Sequence, residues 1–370
     1  MESVGSSKVK ALVTDNASNM KAAWALVIER FPHVTAIGCA AHSLNLLMND
    51  LLTLGTIQDV HKQAKDIIKY VKKTHLVLAT FKERQATKYG KGVSCSLKLP
   101  SKTRWSGVCL SFESLLRNKE VLQEIAIMEN VQFDKALRVV VLDEEEFWVA
   151  LKSCHTLLEP IAKAIKAVES DQALLSDVKN LFHSLAEEIQ TNLQCSVLLQ
   201  NERDLAEKAL NTRKAFKVHP IHCAANLLDP RYKGKNLTDE EVLSAFDWIS
   251  EHSKHMNLEV GKVYSDVAEY RTNEGIWSRS GIWASANHMR PSTWWEGICT
   301  TKTVMPLARN VLQIPPSSAA CERNWSDFAN IHTLRRNRLS NDKVQKLVFV
   351  HAHLNMMKKA TDEASDTDSE

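Results

Sequence analysis

Apolar and polar positions follow two rhythms along this chain, and the change between them divides it. The run Lys8 to Thr14, KVKALVT, is rich in β-formers and predicts a strand that stops at Asp15-Asn16-Ala17-Ser18. Met20, Ala23, Trp24, Val27, Ile28 and Phe31 then recur at helical spacing. The pattern repeats at once: Val34 to Gly38 reads as a short strand, and Ala40 to Leu54 as a helix with Leu44, Leu47, Met48 and Leu51 on one stripe. Two βα units in succession predict parallel strands. A third helix is expected from about Ile57 to Gln85, and residues 86–103, with Gly90 and Gly92, read as a loop.

From Val108 to about Arg290 the rhythm is helical throughout, as in Phe147, Leu151, Leu157, Leu158, Ile161, Ile165 and Val168. Pro160, His219-Pro220 and Asp229-Pro230 are expected to mark helix boundaries, because proline disfavours helix in the residue before it. After Pro315-Pro316-Ser317-Ser318 a helix should begin on a serine cap. Ser340 should cap a last helix that aligns Val344, Leu347, Val348, His351 and Leu354. The final ten residues, TDEASDTDSE, hold five carboxylates and no base, so they are expected to be disordered. The fold class expected is α/β plus all-α, mostly helical overall.

Composition sharpens this picture in three places. Eleven Gly and nine Pro in 370 residues are less than half the share, about 12%, that the pair takes in average proteins, which favours helices over a turn-rich β-sandwich. The net charge of +3, from 47 Lys and Arg against 44 Asp and Glu, is too small to imply nucleic-acid binding by itself. Eight cysteines without framework spacing read as reduced thiols, and no apolar run reaches the ~18–20 residues of a membrane span. These features predict a protein of the nucleus or cytosol with no membrane partner.

Few residues could carry chemistry, and each also has a plain structural role open to it. Asp15 ends a strand, where α/β sheets place ligands and where a carboxylate suits a divalent ion, but an aspartate there also closes an Asx-turn. Cys39 and His42, spaced i, i+3, share a helix face near the same sheet end, yet supply only two ligands and no finger spacing. Glu322 lies one turn into a helix, where the macrodipole stabilises an acid regardless of function. Arg335, Arg336 and Arg338 could touch phosphate or simply solvate a turn. Trp294 and Trp295 are core or interface anchors.

Taken together, these segments resemble the hAT superfamily of DNA transposases. VTDNASNMKAAW (Val13 to Trp24) and IGCAAHSLNLLMNDL (Ile37 to Leu51) are similar to the hAT catalytic core and to the DUF659 domain that accompanies it. TRWSGVCLSFESLL (Thr103 to Leu116) resembles the family's arginine-tryptophan segment, and LLDPRYKG (Leu227 to Gly234) its helical-region signature. Trp294-Trp295 with IPPSSAACERNWSDFANIHTLRRNRLSNDKVQKLVFVHAHLN (Ile314 to Asn355) looks like the hAT C-terminal dimerisation region.

The resemblance implies an RNase H-like core interrupted by a large helical insertion, with a DDE triad that binds two divalent ions, Mg²⁺ or Mn²⁺. Such ions need hard carboxylate ligands to hold them about 3.5–4 Å apart. By resemblance Asp15 and Glu322 fall on two triad acids and would be the metal ligands, with Cys39 and His42 on the C/DxxH motif. Arg104, Trp105, Arg335, Arg336 and Arg338 would touch double-stranded DNA, and Trp294, Trp295, Val344, Leu347, Val348 and Leu354 would serve a homodimer or higher oligomer. The implied division is a partial RNase H-like core over 1–107, a helical insertion over 108–290, the dimerisation region over 291–357 and an acidic tail over 358–370. The family's first catalytic Asp belongs to a strand upstream of Met1, so a dimerising transposase-derived protein without cleavage by this chain alone is expected. The alternatives are the C-terminal part of an active DDE transposase and a non-enzymatic interaction scaffold.

Overall fold

The first two βα units fold as their rhythm predicts, although with shorter strands. Described here is a computed structural model covering residues 5–90, 95–100, 106–215, 219–331 and 339–367. Strand β1 (Ala11–Thr14) pairs in parallel with β2 (Thr35–Gly38), Ala11 opposite Thr35 and Thr14 opposite Gly38. A 3-10 turn over Ser6–Lys8 takes up the start of the expected first strand. Helix α1 (Ser18–Arg30) follows β1 and buries no residue, whereas α2 (Ala40–Leu52) follows β2 and buries Leu44, Leu47, Met48 and Leu51, the stripe read from sequence. Among the described residues the α/β part of the expected fold is no larger than this. The structure is 73% helix and 2% strand, and a two-stranded sheet does not establish an RNase H-like core.

The expected third helix divides into α3 (Gly55–Lys73) and α4 (His75–Tyr89) at Thr74, whose extended ψ of 105° ends one helix and starts the next. Helix α4 therefore runs four residues into the expected loop and stops at Gly90, which adopts φ 93°, a conformation costly for any residue with a Cβ. The first turn of α3 has no capping side chain of its own. Glu202, from a distant helix, accepts from the Thr56 N–H at 2.8 Å and from the Thr56 hydroxyl at 2.6 Å instead. Residues 95–100 form no helix or strand, with Leu97 in the core and the Cys95 carbonyl accepting from Gln85 and Asn118 side chains.

The helical block continues with α5 (Gly107–Arg117), α6 (Lys119–Ile127), α7 (Lys135–Leu142), α8 (Phe147–Val168), α9 (Asp177–Gln194), α10 (Gln200–Ala215), α11 (Pro220–Leu228), α12 (Asp239–His255) and α13 (Val260–Thr272). Helix α8 is its centre, packing against α2, α3, α5, α7 and α9. Pro220 and Pro230 bound α11 as expected, but Pro160 does not end a helix. It sits inside the 22 residues of α8. Proline at 160 removes the N–H that would bond the Thr156 carbonyl, and the Asn192 side chain of α9 donates to that carbonyl at 3.0 Å in its place. A neighbouring helix thus supplies the hydrogen bond that proline removes, and the helix continues.

The C-terminal part consists of α14 (Ser280–Ala284), α15 (Pro291–Ile298), α16 (Met305–Val311), α17 (Ala319–Ile331) and α18 (Asn341–Thr367). A contiguous apolar core reaches from Ile37 to Ile314, and α17 with α18 forms a hairpin beyond it. Helix α18 carries on through the acidic segment as far as Thr367, against the expectation of disorder. No Gly or Pro lies between Asn341 and Thr367 to stop it. Among the described residues no helix is long and apolar enough to cross a membrane.

Candidate functional site

Both strands end at one seam. The Cys39 N–H donates to the Thr14 carbonyl at 2.6 Å, which ties the exit of β2 to the exit of β1. The segment leading into α17 is stitched across the start of α2: the Ala40 N–H donates to the Pro316 carbonyl at 2.9 Å, and the Ser318 N–H donates to the Cys39 Sγ at 3.4 Å. The Ser317 hydroxyl fixes the same segment from its other side, donating to the Val168 carbonyl at the end of α8 at 2.7 Å. Asp15 leaves this seam one residue after Thr14. Glu322 leaves it one helical turn after Ser318, whose carbonyl accepts from the Glu322 N–H at 3.1 Å. Residues 307 positions apart in sequence therefore emerge from a single junction.

The two acids are engaged differently. Asp15 is exposed, and its Oδ1 accepts from the Ala17 N–H at 3.1 Å, the Asx-turn that closes the strand-to-helix connection. Asn16 lays its side chain over Gly38, where a Cβ would stand 1.8 Å from Asn16 Oδ1, and its amide donates to the Ser43 hydroxyl at 3.4 Å. Only a glycine leaves room for that crossing without displacing Asn16. Glu322 is exposed on the wall of a cleft of about 710 Å³ between α5, α8 and α17. Glu113, Glu159, Glu169 and Asp171 line the same cleft, and its cations are partly spoken for: Arg323 donates to the Glu169 carbonyl at 2.9 Å and pairs with Asp171, and Lys163 pairs with Glu159 at 3.0 Å. Asp15 is not part of that wall.

Cys39 is buried and acts as a hydrogen-bond acceptor, and His42 is half-buried in the first turn of α2. Among the described residues no group of three or more His, Cys, Asp and Glu side chains converges to hold a metal ion. Asp15 Oδ1 is already engaged in closing a turn. The expected DNA-contact residues Arg104, Trp105, Arg335, Arg336 and Arg338 lie outside the described residues.

The expected dimer anchors divide. Trp294 and Trp295 are wholly buried within the chain and present no surface to a second copy. They belong to an aromatic core with Tyr270, Trp277 and Trp283. The Trp295 indole donates to the Leu228 carbonyl at 2.7 Å, and Trp294 donates to Ile282. The LLDPRYKG signature forms the adjoining knot. Asp229, fully buried, accepts from the Arg231 guanidinium through both oxygens and from the Ser176 hydroxyl at 2.6 Å. Arg231 also reaches Asp177 at 2.8 Å, which accepts from the Tyr232 hydroxyl at 2.7 Å. Burial, together with the hydrogen bond to Asp177, pushes the Tyr232 phenol well above its ordinary range. Burial also pushes the Cys109 and Cys154 thiols up to about 12, which disfavours the reactive thiolate.

On α18, Val344 is buried while Leu347 and Leu354 are exposed and Val348 is intermediate. The residues missed from sequence are Trp325 on α17 and Phe349, Val350 and Met357 on α18, all more than half exposed. Their signal was available as large apolar side chains lying off the predicted stripe.

Three family models match the chain in order. The domain of unknown function DUF659 matches residues 1–67, the ZBED1 RNase-like helical domain residues 37–156, and the hAT family C-terminal dimerisation region residues 266–354. The last takes in the aromatic core and the hairpin together. Human zinc finger BED domain-containing protein 4 is 21% identical over 385 residues, covering 94% of this chain. The chain spans 31% of that relative's length. The two terminal matches on one chain, together with this relative, support a hAT transposase-like protein.

Proposed function

We propose that this chain is a domesticated, hAT transposase-derived protein of the nucleus that self-associates through its C-terminal hairpin and contacts DNA without cutting it. The observation that carries the reading is the hairpin surface, where Trp325 is 70%, Phe349 63% and Leu354 52% exposed within the segment similar to the hAT dimerisation region. Large apolar side chains exposed in such a segment support an interaction face. Two hairpins related by a two-fold axis would cover each other as a four-helix contact. Similarity to a zinc finger protein supports the nucleus, and the DNA contacts fall in this reading to Arg104, Trp105, Arg335, Arg336 and Arg338. The strands β1 and β2 are read as part of an RNase H-like core. The use of Asp15 to close a turn supports a role without cleavage.

Light scattering at micromolar concentration tests the self-association: a dimer is expected, and a monomer overturns it. A second reading, favoured by the seam that brings the Asp15 and Glu322 segments together, is that these acids belong to a Mg²⁺- or Mn²⁺-dependent transposase site in a longer chain. Nicking of duplex DNA that needs Mn²⁺ and disappears in Asp15→Ala would establish that reading and overturn the first. Failure to bind duplex DNA at low salt would leave a protein-interaction scaffold in its place.

A further inference from the structure

The end of the sheet opposite Asp15 closes a second site. A cavity of about 410 Å³ lies where β1 and β2 begin, between the sheet and helices α12 and α16. Four basic side chains line it, Lys10, His33, His252 and His255, and among the described residues no carboxylate does. Its floor is apolar, made by Met256, Leu307, Val311 and Ile314. Trp248 stacks on His252 with ring centroids 3.9 Å apart and planes within 19°, which gives the cavity a flat wall.

Hydrogen bonds from both strand entries hold these groups in place. His252 Nδ1 lies 3.0 Å from the Trp248 carbonyl, which can only accept, so Nδ1 carries the proton and Nε2 accepts from the Thr35 hydroxyl at 2.8 Å. His33 Nε2 donates in the same way to the Ser6 carbonyl at 3.0 Å. Lys10 spends one of its three N–H donors on the Ser7 carbonyl at 2.8 Å and is otherwise exposed beside the opening. Burial lowers the pKa of His252, and His255 adds to this while the Trp248 carbonyl and Glu251 oppose it. His252 is therefore neutral at pH 7, and the positive charge beside the cavity comes from Lys10.

We propose that this cavity binds a small aromatic carboxylate, its ring against Trp248 and the apolar floor and its carboxylate toward Lys10 and His255. An apolar pocket with a few polar groups on one side is the usual form of a small-molecule site. A lining with cationic and imidazole groups and no acid selects an anion over a cation or a neutral analogue. The site is separate from the seam at the other sheet end and does not rest on the function proposed above.

Isothermal titration of the whole chain with 2-naphthoate tests the proposal. Saturable binding is expected, with the neutral 2-naphthamide bound at least about tenfold more weakly, a difference of about 1.4 kcal/mol. Asn310→Trp, which places a large ring at a half-buried lining position, should abolish binding. The double variant Lys10→Ala/His255→Ala, at two exposed positions, should weaken it about tenfold with no change in thermal unfolding. The proposal is overturned if the folded chain shows no saturable binding of 2-naphthoate, if the amide binds equally well, or if the double variant binds as tightly as the parent.

Discussion

The aromatic core around α13 and α15 and the hairpin of α17 and α18 lie within one matched region, yet they use the same kinds of side chain in opposite ways. In the first, Tyr270, Trp277, Trp294 and Trp295 are fully buried against one another and against the Asp229 knot. In the second, Trp325, Phe349 and Leu354 face outward. A tryptophan pair in a dimerisation segment is therefore no guide to the dimer surface. The aromatic core stabilises the single chain, and the hairpin has apolar surface to share with a second chain.

The largest effects that would break this contrast belong to the core. Asp229→Ala would leave the Arg231 guanidinium and the Ser176 hydroxyl without their shared acceptor and should cost about 3–5 kcal/mol in urea unfolding. Trp295→Ala should cost a similar amount, about 3–5 kcal/mol, through lost packing around Tyr270 and Trp277. Either variant, where it folds, should self-associate as the parent does. A loss of dimer at unchanged stability would place the tryptophans at the interface after all.

A middle-sized effect tests the helical block that supports both regions. Asn192→Ala should cost about 0.5–1.5 kcal/mol, because the Thr156 carbonyl of α8 loses its protein donor at an exposed position. In a Pro160→Ala background the cost should shrink toward zero, since an alanine N–H can then bond that carbonyl itself. Additive costs in the double-mutant cycle would show that Asn192 acts in some other way.

The smallest effect on stability belongs to the hairpin, where it should have the greatest consequence for assembly. Phe349→Asp and Leu354→Asp replace exposed side chains, so each should shift unfolding by no more than about 0.5 kcal/mol while converting a dimer to a monomer by light scattering. A large loss of stability from Phe349→Asp, with the dimer kept, would reverse the contrast between the two regions.

Much of the local structure was legible beforehand. The stripe Leu44, Leu47, Met48 and Leu51, the parallel pairing of two strands and the proline bounds of α11 all follow from spacing, because side-chain period and backbone sterics are local. Pro160 was misread for the opposite reason: its missing hydrogen bond is replaced by Asn192, 32 positions away. The candidate site was half legible. Asp15 at a strand tip and Glu322 on a first turn were readable as positions, but nothing local shows that Cys39 accepts from the Ser318 N–H and so joins their segments.

Periodicity, punctuation and the five matching segments were thus enough to show the resemblance to hAT transposases that the family comparisons support, and to mark most of the helices. Burial was not readable in the same way. Whether Trp294 faces a neighbouring helix or a second chain, whether Asp15 closes a turn or awaits an ion, and whether four basic side chains share one cavity all depend on groups far apart in sequence. A pattern along the chain states which side chains are apolar or charged. Only packing in three dimensions states what removes them from water.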